Sequence, residues 1–167
     1  MGALFDEHFA YVWNALRRLG VRDADLEDLA QDVFVRVHAG LHKYDPTRPL
    51  RPWLFGIAYR VASDHRRLAR HRFELMGVAA DPVDPAAAAD AQLIGAEEQA
   101  LLRQALADMD LERRAILVMH HVEGVAAAQI AEGLGIPVNT VYSRLRLARE
   151  QLAYAVRSAR KREVCGG

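Results

Sequence analysis

Six polar side chains fall between residues 139 and 146, in the segment NTVYSRLR: Asn139, Thr140, Tyr142, Ser143, Arg144 and Arg146. Asn and Arg pair bidentately with base edges in the major groove of DNA, and Ser, Thr and Tyr reach phosphates or bases. On a helix with Val141 at the centre of its buried face, Leu145, Ala148 and Leu152 share that face. Asn139, Ser143 and Arg146 then point the opposite way. Thr140 and Leu147 lie on one flank, Tyr142 and Arg149 on the other. Arg144 falls near the buried edge, within reach of a phosphate or of an adjoining helix.

The wider stretch, Ala126 to Leu152, reads as two short helices joined by a tight turn. Ala131 is small enough to let the helices approach. Gly135 supplies a backbone angle that residues with side chains resist. Val141 anchors the second helix on the first. This is the spacing of a helix-turn-helix, a unit that lays its second helix in a DNA groove. A hairpin that merely packs, with its arginines in water, is the plainer alternative. Pro137 and the polar outer face agree with the spacing and weigh against it.

A second constellation lies upstream. Arg60, Asp64, Arg67 and His71 recur every three or four residues as a polar stripe, with Arg66 and Arg70 in a neighbouring row. Five arginines, at 60, 66, 67, 70 and 72, face one aspartate in this segment. Such a face suits a phosphate backbone and exposed bases. It also suits a solvated helix end whose positive charge the helix dipole favours. Trp53 and Phe55 are candidates for stacking on unpaired bases, although Trp53 opens an apolar stripe and is equally at home in a core. The loop from His42 to Arg51, rich in Tyr, Asp, Thr and Arg, has the composition of a pocket for one flipped base or of a simple connection. A third patch is acidic: Asp25, Asp28, Gln31 and Asp32 fit a protein partner with a basic surface or serve solubility alone.

Other chemistries find little support. His65 and His71, or His120 and His121, lack a partner at a familiar metal-ligand spacing. No glycine-rich phosphate loop, nucleophile elbow or pair of catalytic carboxylates is present. The expectation is therefore no catalytic residue, no metal and no cofactor.

The elements that must position these groups follow from apolar periodicity. A first helix is expected from about Leu4 to Leu19, carrying Phe5, Phe9, Val12, Leu16 and Leu19 and ended by Gly20. Asp23 or Asp25 is expected to cap a second, with Leu26, Leu29, Val33, Phe34 and Val37 on one side and a stop at Gly40. Pro52 suits the first turn of a third, with Trp53, Leu54, Ile57, Ala58 and Val61 as its apolar face and DHRRLARHR as its basic end. Residues 76–96 lose periodicity and read as a flexible acidic linker. A further helix runs to about Met109, and Asp110 is expected to cap the next, through about His121. With no alternating strand pattern, the chain is expected to be all-α: two small helical domains, 1–75 and 97–160, on that linker.

Net charge across the 167 residues is zero, but by cancellation. Residues 1–75 hold 12 basic and 10 acidic side chains, residues 76–109 one and six, and residues 110–167 nine and six. Basic ends thus flank an acidic middle, the distribution of a nucleic-acid binder rather than of a uniform surface. No apolar run reaches bilayer length, and MGALFDEHFAYVW has neither signal-peptide order nor the Ser or Thr of a myristoylation site. The single cysteine, Cys165, forms no internal disulfide and argues for a reducing, cytoplasmic setting.

ADLEDLAQDVFVRVHAGLHKYD followed by RPWLFGIAYRVASDHRR resembles the second conserved region of bacterial sigma factors. LADMDLERRAILVMHHVEGVAAAQIAEGLGIPVNTVYSRLRLAREQL resembles the fourth. The pattern is similar to the extracytoplasmic-function (ECF) group of the sigma-70 family, which keeps those two domains and the tether, and it covers roughly residues 4–75 and 94–155. The resemblance implies a specificity subunit that binds core RNA polymerase and promoter DNA without inserting into a membrane. It places Asp28, Gln31 and Asp32 on the helix that docks on the clamp helices of the largest polymerase subunit. Trp53 and the helix after it fall in the region of promoter opening. Arg60, Asp64 and Arg67, with His71 on the same stripe, fall where the downstream (−10) element is read as an opened strand, and the His42–Arg51 loop where a flipped base is captured. Asn139 to Arg146 fall on the helix that reads the upstream (−35) duplex. The linker would thread the polymerase interior, and an anti-sigma factor is implied as a further partner.

Departures from the family pattern touch which sequence is read. Arg60 stands where many members have Asn, Asn139 where Gly is common, Tyr142 where a basic residue is common, and Asp110 where Pro is usual. Two other readings compete. A stand-alone helix-turn-helix regulator would bind a palindromic duplex tightly by itself. An enzyme with a metal site on the His-rich helix would purify with metal.

Overall fold

The structure is a computed structural model that describes residues 2–77 and 95–166, with side chains through residue 161. The described residues form seven α-helices and one 3-10 turn, grouped into two compact units on either side of residues 84 and 85. Most of the expected linker, residues 78–94, lies outside the described residues, as does the Cys165 side chain.

The N-terminal unit holds α1 (Gly2–Arg18), α2 (Asp23–Gly40), the 3-10 turn Leu41–Lys43 and α3 (Leu50–Met76). Its core comes mostly from the apolar stripes read from the sequence, although Phe5 is exposed, Phe9, Leu29 and Trp53 are half-buried, and Phe55 joins the core from outside them. Val12, Leu16 and Leu19 meet Leu26, Val33 and Val37, and Leu54, Phe55, Ala58 and Val61 close the bundle, all at 1% exposure or less. Full burial of a side chain of this size stabilises the fold by about 1.5–3 kcal/mol. Gly20, at φ +85°, ends α1, and the Val21 amide reaches back to the Leu16 carbonyl at 3.1 Å. Gly77, at φ +66°, ends α3 in the same left-handed conformation.

One expectation is corrected here. Neither Asp23 nor Asp25 caps α2. Arg22 holds the N-cap position with no side-chain hydrogen bond capping the helix, and both aspartates lie inside the first turn. There they still favour the helix through its dipole, and Asp25 instead accepts from Arg22 Nε at 3.0 Å.

The C-terminal unit holds α4 (Ala96–Ala107), α5 (Leu111–His121), α6 (Ala127–Leu134) and α7 (Val138–Gly166). The first three pack on α7. Leu106, Met109, Leu117 and Ala148 form one buried cluster, and Ile116, Met119, Ile130, Val141 and Leu145 are buried at 2% exposure or less. Arg114 is fully buried among them and donates to the Leu106 carbonyl at 3.4 Å. Asp110 caps α5 as expected, accepting from the Arg113 amide at 2.9 Å. Asp110→Ala is expected to lower the stability of this unit by about 1 kcal/mol, read from denaturant unfolding, with Asp110→Asn close to wild type.

Candidate nucleic-acid interface

The turn between α6 and α7 is built as its spacing implies. Gly135 sits at φ +69°, and the Ile136 amide returns to the Ala131 carbonyl at 3.0 Å. Ala131 is buried at 8% exposure, so the helices meet where the side chain is small. The Pro137 carbonyl then accepts from Thr140 and Val141, at 3.0 and 3.3 Å, starting α7. Val141, Leu145 and Ala148 are buried, which fixes the rotation of α7 about its axis.

That rotation decides which side chains face out. Asn139, Tyr142, Ser143, Arg146 and Arg149 are exposed, and Thr140 and Arg144 are half-buried. Arg144 reaches the adjoining helix: its guanidinium lies 3.2 Å from Glu112 on α5. Arg146 pairs with Glu150 one turn on, at 2.9 Å. The Ser143 hydroxyl donates to the Asn139 carbonyl at 3.0 Å, leaving the Asn139 amide group to the outer face. Arg149 donates to His121 at 3.3 Å. Burial, with His120 and Arg149 nearby, lowers the His121 pKa below the ordinary histidine value.

On α3 the structure separates the arginines. Arg60, Arg67, Arg70 and Arg72 are exposed, as is His71. Arg66 turns inward and donates to the Leu19 carbonyl at the end of α1, at 3.1 Å. Burial lowers its pKa from the ordinary arginine value, with Arg70 adding to the effect. Arg66 therefore ties α3 to α1 and leaves the row that was expected to face outward. Asp64 accepts from Arg67 at 3.3 Å and from Arg36 of α2 at 2.9 Å. His65 faces Asp25 at 3.4 Å.

Of the two aromatic candidates, Phe55 is fully buried and cannot stack on a base. Trp53 is half-buried. It rests over the end of α2, where a Cβ on Gly40 would lie 3.6 Å from its ring, and its ring lies 4.8 Å from that of Tyr44. The adjacent loop is ordered by its own polar groups. Asp45 accepts from the Thr47 amide and hydroxyl, at 2.9 and 2.7 Å. These bonds, with Arg48 beside them, hold its carboxyl below the ordinary range. The Tyr44 hydroxyl donates to the Arg48 carbonyl, and the Tyr11 hydroxyl to that of Arg51 at 3.2 Å.

Asp28, Gln31 and Asp32 are exposed on one face of α2. Two residues of this helix escaped the sequence reading. Val35, at 65% exposure, stands on the same face as a lone apolar side chain. Its position seven residues after Asp28 was the available sign. Arg36 was also missed, because its partner Asp64 lies 28 residues away in the chain. No group of three His, Cys, Asp or Glu among the described residues is placed to hold a metal ion.

Comparison with known families accounts for both units. The family Sigma-70 region 2 matches residues 4–72, and Sigma-70, region 4 matches residues 99–152. The ECF RNA polymerase sigma factor SigL of Mycobacterium tuberculosis is 36% identical over 163 residues, covering 96% of this chain and 86% of the relative. The chain belongs to the ECF sigma factors of the sigma-70 family. As such it is the subunit that directs core RNA polymerase to promoters. The sigma factor CnrH of Cupriavidus metallidurans is 30% identical over 164 residues, with 91% of this chain and 84% of the relative covered. A solved structure of CnrH in complex with the cytosolic domain of CnrY superposes with a TM-score of 0.64, at 27% identity, over 94% of this chain and 87% of that one. RpoE of Bartonella quintana, solved with the anti-sigma factor NepR, shares the fold at a TM-score of 0.69 and 23% identity, over 92% and 96% of the two chains. No helix among the described residues of this sigma factor is long and apolar enough to cross a membrane.

Proposed function

We propose that the two units of this sigma factor divide promoter recognition between them. Asn139, Thr140, Tyr142, Ser143, Arg144 and Arg146 of α7 read the upstream element as duplex. Trp53, Arg60, Asp64, Arg67 and His71 of α3 read the downstream element as an opened strand, with the His42–Arg51 loop taking one unstacked base. Asp28, Gln31 and Asp32 dock on the clamp helices of core polymerase. One observation carries this reading: α7 buries Val141, Leu145 and Ala148 and thereby turns Asn139, Ser143 and Arg146 outward together. A helix locked by its core presents a fixed hydrogen-bonding pattern, which is what groove recognition requires.

The protein does this by binding, with no catalytic step of its own. Capture of unstacked bases offsets the cost of opening the duplex. Each unit alone grips DNA weakly, and both together gain avidity once polymerase presents the two elements at a set distance. Its place of work is the cytoplasm. CnrH and RpoE were each solved with a partner, CnrY and the anti-sigma factor NepR, and an anti-sigma factor is the corresponding regulator here.

Reconstitution with core polymerase tests the reading. The chain is expected to bind core and to start transcription from a defined set of sites when starts are mapped genome-wide. A chain that ignores core polymerase yet grips a palindromic duplex unaided is a stand-alone regulator, and the proposal fails.

A further inference from the structure

Four charged side chains on two helices form an unbroken alternating series. Asp32 lies 3.6 Å from Arg36 on α2, Arg36 lies 2.9 Å from Asp64 on α3, and Asp64 lies 3.3 Å from Arg67 one turn further on. Arg36 uses one terminal nitrogen for each carboxylate, and Asp64 uses one oxygen for each guanidinium. At one end stands the acidic face of α2. At the other stands Arg67, the most exposed member at 79%.

We propose that Arg36 is a positioning residue for reading of the downstream element, neutralising Asp64 so that Arg67 can turn to the strand, and linking that contact to Asp32. The inference rests on the functional reading given above, in which α2 docks on polymerase and α3 meets the opened strand.

The physical reason begins with Asp64. An ionised carboxylate only accepts hydrogen bonds, so Asp64 can accept from a base amino group but repels the neighbouring phosphates unless neutralised. Arg36 neutralises it from the α2 side, out of the strand's way, and leaves Arg67 able to turn to DNA. Each such pair alone is weak at this exposure; the connection is what matters. A basic group of polymerase on Asp32 removes the competing carboxylate. Arg36 then closes on Asp64 with both terminal nitrogens, the fork geometry that guanidinium and carboxylate prefer. Asp64 thereby loosens its hold on Arg67. Docking and strand capture favour each other, and by linkage the effect runs both ways.

The test uses full-length chain at saturating core polymerase and a single-stranded oligonucleotide carrying the non-template downstream region of a promoter mapped for this factor. Arg36→Met keeps the side-chain stem and removes the charge. It is expected to weaken strand binding about 5-fold, the lower range of coupling between linked sites, while core affinity is not lowered and the melting temperature stays at the wild-type value. Arg36→Lys, which keeps the charge near Asp64, should recover most of the loss. The double variant Arg36→Met with Asp64→Asn should be no weaker than the weaker single variant, because both break one series. Wild-type strand binding by Arg36→Met overturns the proposal. So do losses that multiply in the double variant, or a loss that follows a lowered melting temperature. If the wild-type complex itself leaves the strand unbound, the assignment of α3 to strand reading fails first and takes this inference with it.

Discussion

Val141→Asp is expected to unfold the C-terminal unit and to abolish use of the upstream element. Val141 is fully buried, with Leu145 at 2% and Ala148 at 0% exposure beside it along α7. An aspartate there would place an unpaired carboxylate among apolar side chains. Even after relaxation, burying a charge without a partner costs several kcal/mol, and the group protonates before it ionises in such a site. Since a small unit has only about 5–15 kcal/mol of total stability, a loss of this size is decisive. Val141→Ala separates packing from charge. It removes two methyl groups from the same place and should cost about 1–3 kcal/mol, leaving a folded unit with a lowered unfolding midpoint. Circular dichroism through a denaturant series reads both variants. A Val141→Asp protein that retains full helicity and wild-type stability would mean that α7 is not held by this face.

Arg146→Ala is expected to leave the fold intact and to strip the factor of preference at one base pair of the upstream element. Its side chain is exposed at 66% and, among the described residues, pairs along its own helix with Glu150. Such a pair contributes about 0.3–0.5 kcal/mol, so unfolding should shift by no more than that. A bidentate arginine–guanine contact is worth about 1–3 kcal/mol of discrimination, or about 5- to 150-fold. The loss should appear in transcription from a mapped promoter, and the variant should transcribe base-substituted upstream elements as poorly as the original. Arg146→Lys should lie close to Arg146→Ala, because a point charge cannot reproduce the fork. If instead the variant weakens all promoters alike and lowers the salt dependence of binding, Arg146 touches a phosphate. Undiminished preference at every upstream position would remove it from the interface.

The polar and turn residues read correctly from sequence share one property: their partners are close in the chain. Asp110 bonds an amide three residues on, and Gly135 answers to a turn that begins at Ala131. The placement of Asn139, Ser143 and Arg146 opposite Val141 needs only the period of a helix. The misreadings involve competition between local groups or partners far away. Asp23 and Asp25 are both reasonable caps by type, but the chain enters α2 at Arg22 and carries them past the cap position. Arg66 has the same charge as Arg67, and only the end of α1, 47 residues earlier, distinguishes the inward one from the outward one. Phe55 has the chemistry for stacking and lies fully in the core.

By itself the sequence determined the all-α class, the helix-turn-helix, the bounds of most helices to within a few residues and the outward face of α7. Those features depend on periodicity, turn chemistry and capping, which act over a few residues and are written in the order of side chains. Tertiary structure alone decided that Arg66 of α3 turns inward to the end of α1, that Arg144 leans on Glu112, and that Asp64 is shared between α2 and α3. A charged side chain has several partners within its reach in an unfolded chain. Which one it takes is set only when helices distant in sequence pack at a particular rotation and bring one partner to about 3 Å.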